Sequence, residues 1–239
     1  DMTDMGRESC EALVPSSNMT EIQRMQAETE EATVILQYVG ASPLVPFSDV
    51  RASLTLAEKG ATLSQKALLE VAALMQSARA ARKALDTERD NTPILKELAQ
   101  RLSTLHNVEQ DITNAIISED EIADRASNEL MDIRRHLRGA NERIKEKLNQ
   151  MIRSSAFQKY LQDPIVTMRN DRYCLPVKAE YRGSVPGLVH DQSSTGATLF
   201  IEPMAAVEMG NELKTWAAKE KQEIERILAA LSAEIAPYA

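Results

Sequence analysis

Two long helical patterns flank a short stretch that is not helical, and no other feature constrains this chain as much. The stretch, RNDRYCLPVKAEYRGSVPGLVHDQSSTGATLFIEP, runs from Arg169 to Pro203 and holds most of the strand signals. Ahead of it, Leu130, Ile133, Leu137, Ala140, Ile144, Leu148 and Met151 recur in steps of three and four. That spacing is a narrow apolar seam on one helix whose other faces are charged. A helix from Asn128 to Ser154 reaches about 40 Å at the standard rise per residue. Behind the stretch, Leu213, Trp216, Ala217, Glu220, Ile224, Ile227, Leu228, Leu231 and Ile235 mark a returning helix that starts near Ala205. An isolated helix of this composition is marginal in water, so the two seams predict antiparallel pairing. The β-rich piece is then a tip carried by paired arms.

The rest of the chain reads as a helical bundle. Residues 1–39 predict two helices broken at Val14-Pro15-Ser16-Ser17, the second capped by Ser17 or Asn18. Gly40–Asp49, with Pro43 and Pro46, reads as a loop, and a short segment from Val50 to Lys59 leads to Gly60. Thr62 and Ser64 offer N-caps for the next helix, and Gln65 stands where a capping box with Thr62 requires it. Thr92-Pro93 opens a helix that uses Leu95, Leu98, Leu102, Leu105 and Val108. Ser118 and Ser127 are the next candidate caps, and Glu119-Asp120-Glu121 reads as charge at a helix N-terminus. In the tip, Ile165–Met168 and Tyr173–Lys178 predict strands joined by the turn pair Asn170-Asp171. Pro176 confines the second strand to an edge or a bulge. Leu188–Asp191 and Ala197–Ile201, joined through Ser193–Gly196, complete an antiparallel meander. The expected fold is mainly α, divided into a helical bundle (1–127), an outgoing arm (128–163), the tip (164–204) and a returning arm (205–239).

Composition supports helices and narrows the setting. Hydrophobic residues make up 43% of the 239 positions but aromatics only 4%, which suits packed helices better than a bulky mixed core. Four of the eight glycines, Gly183, Gly187, Gly196 and Gly210, fall in or just after the tip, so turns concentrate there. Cys10 and Cys174 are far apart and lack metal-ligand spacing, which predicts two free thiols in a reducing cytosol and a cytoplasmic protein. No apolar run approaches a membrane span, and no secretory signal is visible. The chain opens on Asp1 inside a helical pattern, as a fragment of a longer protein would.

The net charge of −8 argues against bulk affinity for nucleic acid, but its distribution matters more. Residues 1–128 carry 12 Lys and Arg against 21 Asp and Glu, whereas residues 129–159 carry 8 against 4. Arg134, Arg135, Arg138, Arg143, Lys145, Lys147 and Arg153 thus precede the tip, and Arg169, Arg172, Lys178 and Arg182 lie in it. Such cations neutralise phosphates without regard to sequence. Tyr173 and Tyr181 are candidates to stack on an exposed base. The competing reading pairs Glu142 and Glu146 with Arg138 and Lys145 as ordinary ion pairs on a helix face, leaving a structural or protein-binding coiled coil with no nucleic-acid contact.

Other chemistry has little support. His190, Asp191 and Ser193 suggest a hydrolase, but the G-x-S-x-G elbow is absent, and a triad draws on separated elements. His106 and His136 have no second His or Cys one turn away, so no metal is expected. The phosphate loop G-x-x-x-x-G-K-[ST] is missing, and no cofactor is expected within these residues. No internal repeat of fixed period stands out.

The segment from Arg169 to Pro203 resembles the signature stretch of the bacterial MutS-II family, the MutS paralogues with a C-terminal Smr nuclease domain. Glu28–Ala32, Lys59–Leu63, Asp124–Leu130, Gly210–Leu213 and Glu223–Leu228 match as well, so the likeness spans essentially the whole chain. The resemblance implies MutS core and lever helices with a clamp inserted between the lever arms. It implies an ABC-type ATPase domain using ATP and magnesium, then the Smr endonuclease domain, both beyond Ala239 and within a homodimer. It also implies suppression of homologous recombination, or rescue of stalled, collided ribosomes, by gripping branched or double-stranded DNA or rRNA. No catalytic residue falls in this chain on that reading. Charge reversal at Arg169, Arg172 and Lys178 is expected to weaken the grip. Gly210 departs from the family pattern, which has a second Asn there, and is expected to loosen the start of the returning helix.

Overall fold

The computed structural model describes residues 3–39, 44–86 and 92–239. Part of the expected Gly40–Asp49 loop lies outside them. The chain divides into two compact units, Asp1–Ala126 with Glu225–Ala239, and Ser127–Ile224.

The first unit is helical. It contains α1 (Asp4–Glu11), α2 (Met19–Val39), α3 (Arg51–Glu58), α4 (Gln65–Leu85), α5 (Pro93–Arg101) and α6 (His106–Ala115). Asn18 starts α2, its Oδ1 accepting from the N–H groups of Thr20 and Glu21. Ser64 caps α4 by accepting from the Ala67 N–H. The expected box between Thr62 and Gln65 does not form, because Gln65 is already the first helical residue. The single helix expected after Thr92 is two. The chain leaves helical geometry after Arg101, and the Arg82 guanidinium donates to the freed Leu102 carbonyl at 3.1 Å. Thr92 makes no side-chain cap bond; the buried Glu31 carboxylate accepts from the N–H groups of Ile94 and Leu95 instead.

Glu119-Asp120-Glu121 is also corrected. Ile116–Ser118 (β1) and Glu121–Ile122 (β2) pair antiparallel, so Glu119 and Asp120 form a hairpin turn and Glu121 opens a strand, rather than the three starting a helix. The Ser118 hydroxyl accepts from the Asp120 N–H inside that turn and caps no helix. Leu68, Val71, Ile112, Ile122 and Ile235 are fully buried in this unit. The Leu63 N–H donates to the Ser232 hydroxyl at 2.9 Å, binding the end of the returning helix into it.

The second unit is built on α7 (Asn128–Arg153) and the first part of α9 (Met204–Ile235). Ser127 caps α7, its Oγ accepting from the Leu130 N–H and donating to the buried Glu223 carboxylate at 2.6 Å. Arg134 pairs with Glu220, His136 stacks on Trp216, and Arg143 pairs with Glu212. Partner numbers fall as the α7 numbers rise, so the helices run antiparallel, as the two seams predict.

Between them lie α8 (Ser155–Gln158), β3 (Thr167–Arg169), β4 (Arg172–Lys178), β5 (Gly187–Gln192) and β6 (Thr198–Pro203). Asn170 and Asp171 turn the β3–β4 hairpin at φ 49° and 57°, the left-handed pair such a tight turn needs. The sheet order is β3-β4-β6-β5, so the expected meander is wrong: β6 inserts beside β4 and pushes β5 to the edge. Pairing β6 with β4 sets Ile201 beside Leu175 and puts both into the core, which a sequential order would not do.

Pro176 is not on an edge strand. Its carbonyl accepts from the Gln162 N–H, and Val177 bridges Leu161 on that same side. A residue's N and O share a side of the strand, so the missing N–H of Pro176 faces away from β6 and no β4–β6 bond is lost. Ile144, Leu148 and Ile152 of α7 meet Leu161, Leu175, Val177, Ile201 and Ala206 in one cluster. Each such buried aliphatic side chain contributes about 1.5–3 kcal/mol. An exposed pair such as Arg143–Glu212 contributes about 1 kcal/mol at most. The sheet is therefore held to α7 by apolar contact rather than by surface charge.

Candidate nucleic-acid interface

The cations expected to face a polyanion fall into three groups. Arg172 is interior. Its guanidinium sits 3.0 Å from the Glu202 carboxylate and donates to Asn211 Oδ1 at 2.7 Å, and only 15% of its side chain is exposed. Glu202 is fully buried, and its other oxygen lies 2.7 Å from His190 Nε2. Arg172, Glu202 and His190 thus bolt β4, β6 and β5 to α9, and Arg172 is structural. Reversing its charge would bury a repulsive pair, so the expected triple variant would report on folding as well as on contact.

The expectation that Gly210 loosens the returning helix is overturned. α9 runs unbroken through it. A Cβ on Gly210 would lie 2.6 Å from Glu202 Oε1 and 2.7 Å from Arg172 Nη1, so the glycine makes room for the bolt.

A second group is tethered at the surface. Arg169 lies 3.2 Å from Asp191 and over the Phe200 ring at 4.0 Å. Arg182 donates to the carbonyls of Val185 and Gly187. Arg134, Arg135 and Arg143 pair with Glu220, Asp132 and Glu212. Lys145 rests 5.9 Å from the Tyr173 ring, and Arg138 is exposed with a partner of its own. Lys178, part-buried at the end of β4, is tethered too, its ammonium donating to the Lys159 carbonyl at 3.5 Å. The third group is Lys147 and Arg153, which are exposed on α7.

The tyrosines do not offer stacking faces. Tyr173 is buried and its hydroxyl donates to Asn141 Oδ1 at 2.6 Å. Tyr181 packs on Tyr160 with ring centroids 5.3 Å apart. The residues that suggest a hydrolase are each engaged elsewhere: His190 by Glu202, Asp191 by Arg169, and the Ser193 hydroxyl by the Thr198 N–H. His106 lies 3.9 Å from Glu109, a carboxylate already claimed by Arg79, and His136 is stacked on Trp216.

Comparison with known proteins decides the family. The chain is 47% identical over 236 residues to the endonuclease MutS2 of Alkaliphilus oremlandii, covering 98% of this chain. It is 46% identical over 237 residues to that of Pelotomaculum thermopropionicum and 45% identical over 238 residues to that of Acetivibrio thermocellus. The chain belongs to the MutS2 family. It spans about 30% of the length of these relatives. No protein-family model matches it.

Two features of this MutS2 chain escape sequence reasoning. Lys159 is exposed just after α8, its ammonium 4.9 Å from the Tyr160 ring. It closes the basic stretch 129–159 but belongs to no motif. Cys174 is fully buried, and burial, reinforced by the Glu202 charge, pushes its thiol up to about 11. Among the described residues, no helix is long and apolar enough to cross a membrane.

Proposed function

We propose that this chain is the core, lever and clamp portion of a MutS2 protein. Residues 1–127 form the core and lever bundle, 128–163 and 205–239 the lever arms, and 164–204 the clamp. The clamp grips branched or double-stranded DNA, or rRNA, without sequence preference. The parent is a homodimer whose ATPase domain, with ATP and magnesium, lies outside these residues and drives the arms. Endonuclease activity, in the name of the relatives, belongs to a further domain of the parent. The protein suppresses recombination, rescues collided ribosomes, or does both, in the cytoplasm.

The observation that carries this reading is the placement of Lys147 and Arg153 on the solvent face of α7, the helix against which the sheet packs. Neither is an interior ion pair like Arg172. The test is binding of the chain to a four-way DNA junction and to an rRNA fragment across a salt series. Binding should weaken steeply with salt, and Lys147→Glu with Arg153→Glu should weaken it further at every salt concentration. Equal affinity in that variant would remove α7 from the contact.

A second reading, a protein-binding coiled coil without nucleic-acid contact, is favoured by the ion pairs that already lace α7 to α9. Capture of a protein partner from nuclease-treated lysate, with no shift of DNA or RNA, would establish it.

A further inference from the structure

We infer that the first unit carries a binding site of its own, a groove between α6 and the last turns of α9. It takes a peptide segment that bears a basic and an acidic side chain about three residues apart. The site is separate from the cations on α7 and does not depend on the nucleic-acid reading.

The groove encloses about 670 Å³ and lies wholly within that unit, a volume in the range of clefts that hold small ligands. On α9, Arg226, Ile227, Leu231 and Glu234 share one face at helical spacing. Ile227 and Leu231 are buried and form an apolar floor. Arg226 and Glu234 stand two turns apart, about 12 Å along the axis. Asp111 lines the groove from α6, and Glu234 feels its charge, so the two carboxylates share one end. The 3-10 turn Asp124–Ala126 builds the other end. The Ala123 N–H donates to the carbonyl of Ala115, one turn beyond Asp111, at 2.8 Å. That bond brings Arg125 past the end of α6, where it lines the groove with Arg226.

Opposite charges line this groove without meeting. Among the described residues, the side chains of Asp111, Arg125 and Glu234 make no hydrogen bond or ion pair, and Arg226 has an interaction of its own. Partial burial raises the Glu234 carboxyl above its ordinary value of 4.5, and the Asp111 charge raises it further. No cation of the groove offsets that rise. Elsewhere on α9, Glu212 and Glu220 each have an arginine. A cation between Asp111 and Glu234 relieves their repulsion, and an anion at Arg125 completes the match. A plain polycation meets Arg125, and a plain polyanion meets the carboxylates, so the groove selects a ligand with both signs. Three steps of an extended peptide span about 10 Å, which fits the separation of the two ends. The stem of a lysine lies along the apolar floor.

The test is an NMR titration of the whole chain with four end-blocked tetrapeptides. One has lysine and glutamate at its two ends with alanines between. The others have lysine and glutamate side by side, lysine at both ends, or glutamate at both ends. The first should bind about tenfold more tightly than the rest, with shifts centred on Asp111, Arg125 and Glu234. Asp111→Asn with Glu234→Gln should weaken that binding about tenfold, and Arg125→Gln should abolish its advantage over the peptide with two lysines. None of these substitutions breaks a contact within the chain, so melting temperatures should not fall, and lost affinity then reports on the groove rather than on folding. A peptide with two lysines bound as tightly as the first, affinity indifferent to the two carboxylates, or no shift with any peptide would overturn the inference, whatever the chain does with DNA or RNA.

Discussion

At Gly210, two effects of opposite sign compete. In an exposed helix interior, Gly→Ala stabilises by about 1 kcal/mol. Here the new Cβ meets Glu202 Oε1 and Arg172 Nη1. Both atoms end flexible side chains, but moving either breaks a pair whose carboxylate is fully buried. Overpacking costs about 1–3 kcal/mol, so Gly210→Ala should destabilise, measured as a lower urea midpoint with unchanged slope. A raised midpoint would mean that the bolt yields without cost. Arg172→Met leaves Glu202 buried with only His190 beside it and should cost about 3–5 kcal/mol. The thiols make a second test at this scale. Cys174 is buried with its pKa pushed up to about 11, and Cys10 is exposed. A thiol reagent at pH 8 should modify one cysteine per native chain and two after unfolding.

At the scale of elements, helix ends and cross-helix pairs decide the geometry. Ser127→Ala removes the α7 cap and the hydroxyl that reaches Glu223. The cap alone is worth about 1 kcal/mol, and the lost bond from the Ser127 hydroxyl to Glu223 adds to it, so thermal unfolding should fall by several degrees. In the first unit, Arg79 joins α4 to α6 by a forked contact with Glu109 at 3.0 and 2.8 Å. Hydrogen bonds from Arg79 hold the Glu109 carboxyl below its ordinary value of 4.5. A depressed folded-state pKa means that this contribution is complete above the unfolded value and is lost as pH falls through the folded one. Stability should therefore drop on acidification below about pH 4.5, and Arg79→Met should flatten that part of the profile. An unchanged profile would mean that Glu109 does not feel the guanidinium.

Much of this element layer was legible in the sequence. The α7 and α9 seams, the Asn18 and Ser127 caps and the Asn170-Asp171 turn are read from neighbours along the chain. The break at Leu102 and the β1–β2 hairpin were not. The first is supported by Arg82, twenty residues away, and the second replaces a helix start that local charge favours equally well.

For the molecule as a whole, two compact units imply two cooperative transitions by calorimetry. Arg172→Met should lower one of them and Arg79→Met the other; a single transition shifted by both would show one cooperative body. The sequence by itself determined the mainly helical class, the antiparallel seams, the β insertion and the family, because periodicity and motif are properties of consecutive residues. Only the tertiary structure decided how each cation is held. Arg172 and Lys178 look alike in sequence, six residues apart on one strand. Strand order and the packing of α9 enclose the first against Glu202, while the second ends at a turn. Burial of a charge depends on partners distant along the chain, and the spacing of the basic residues carries no record of them.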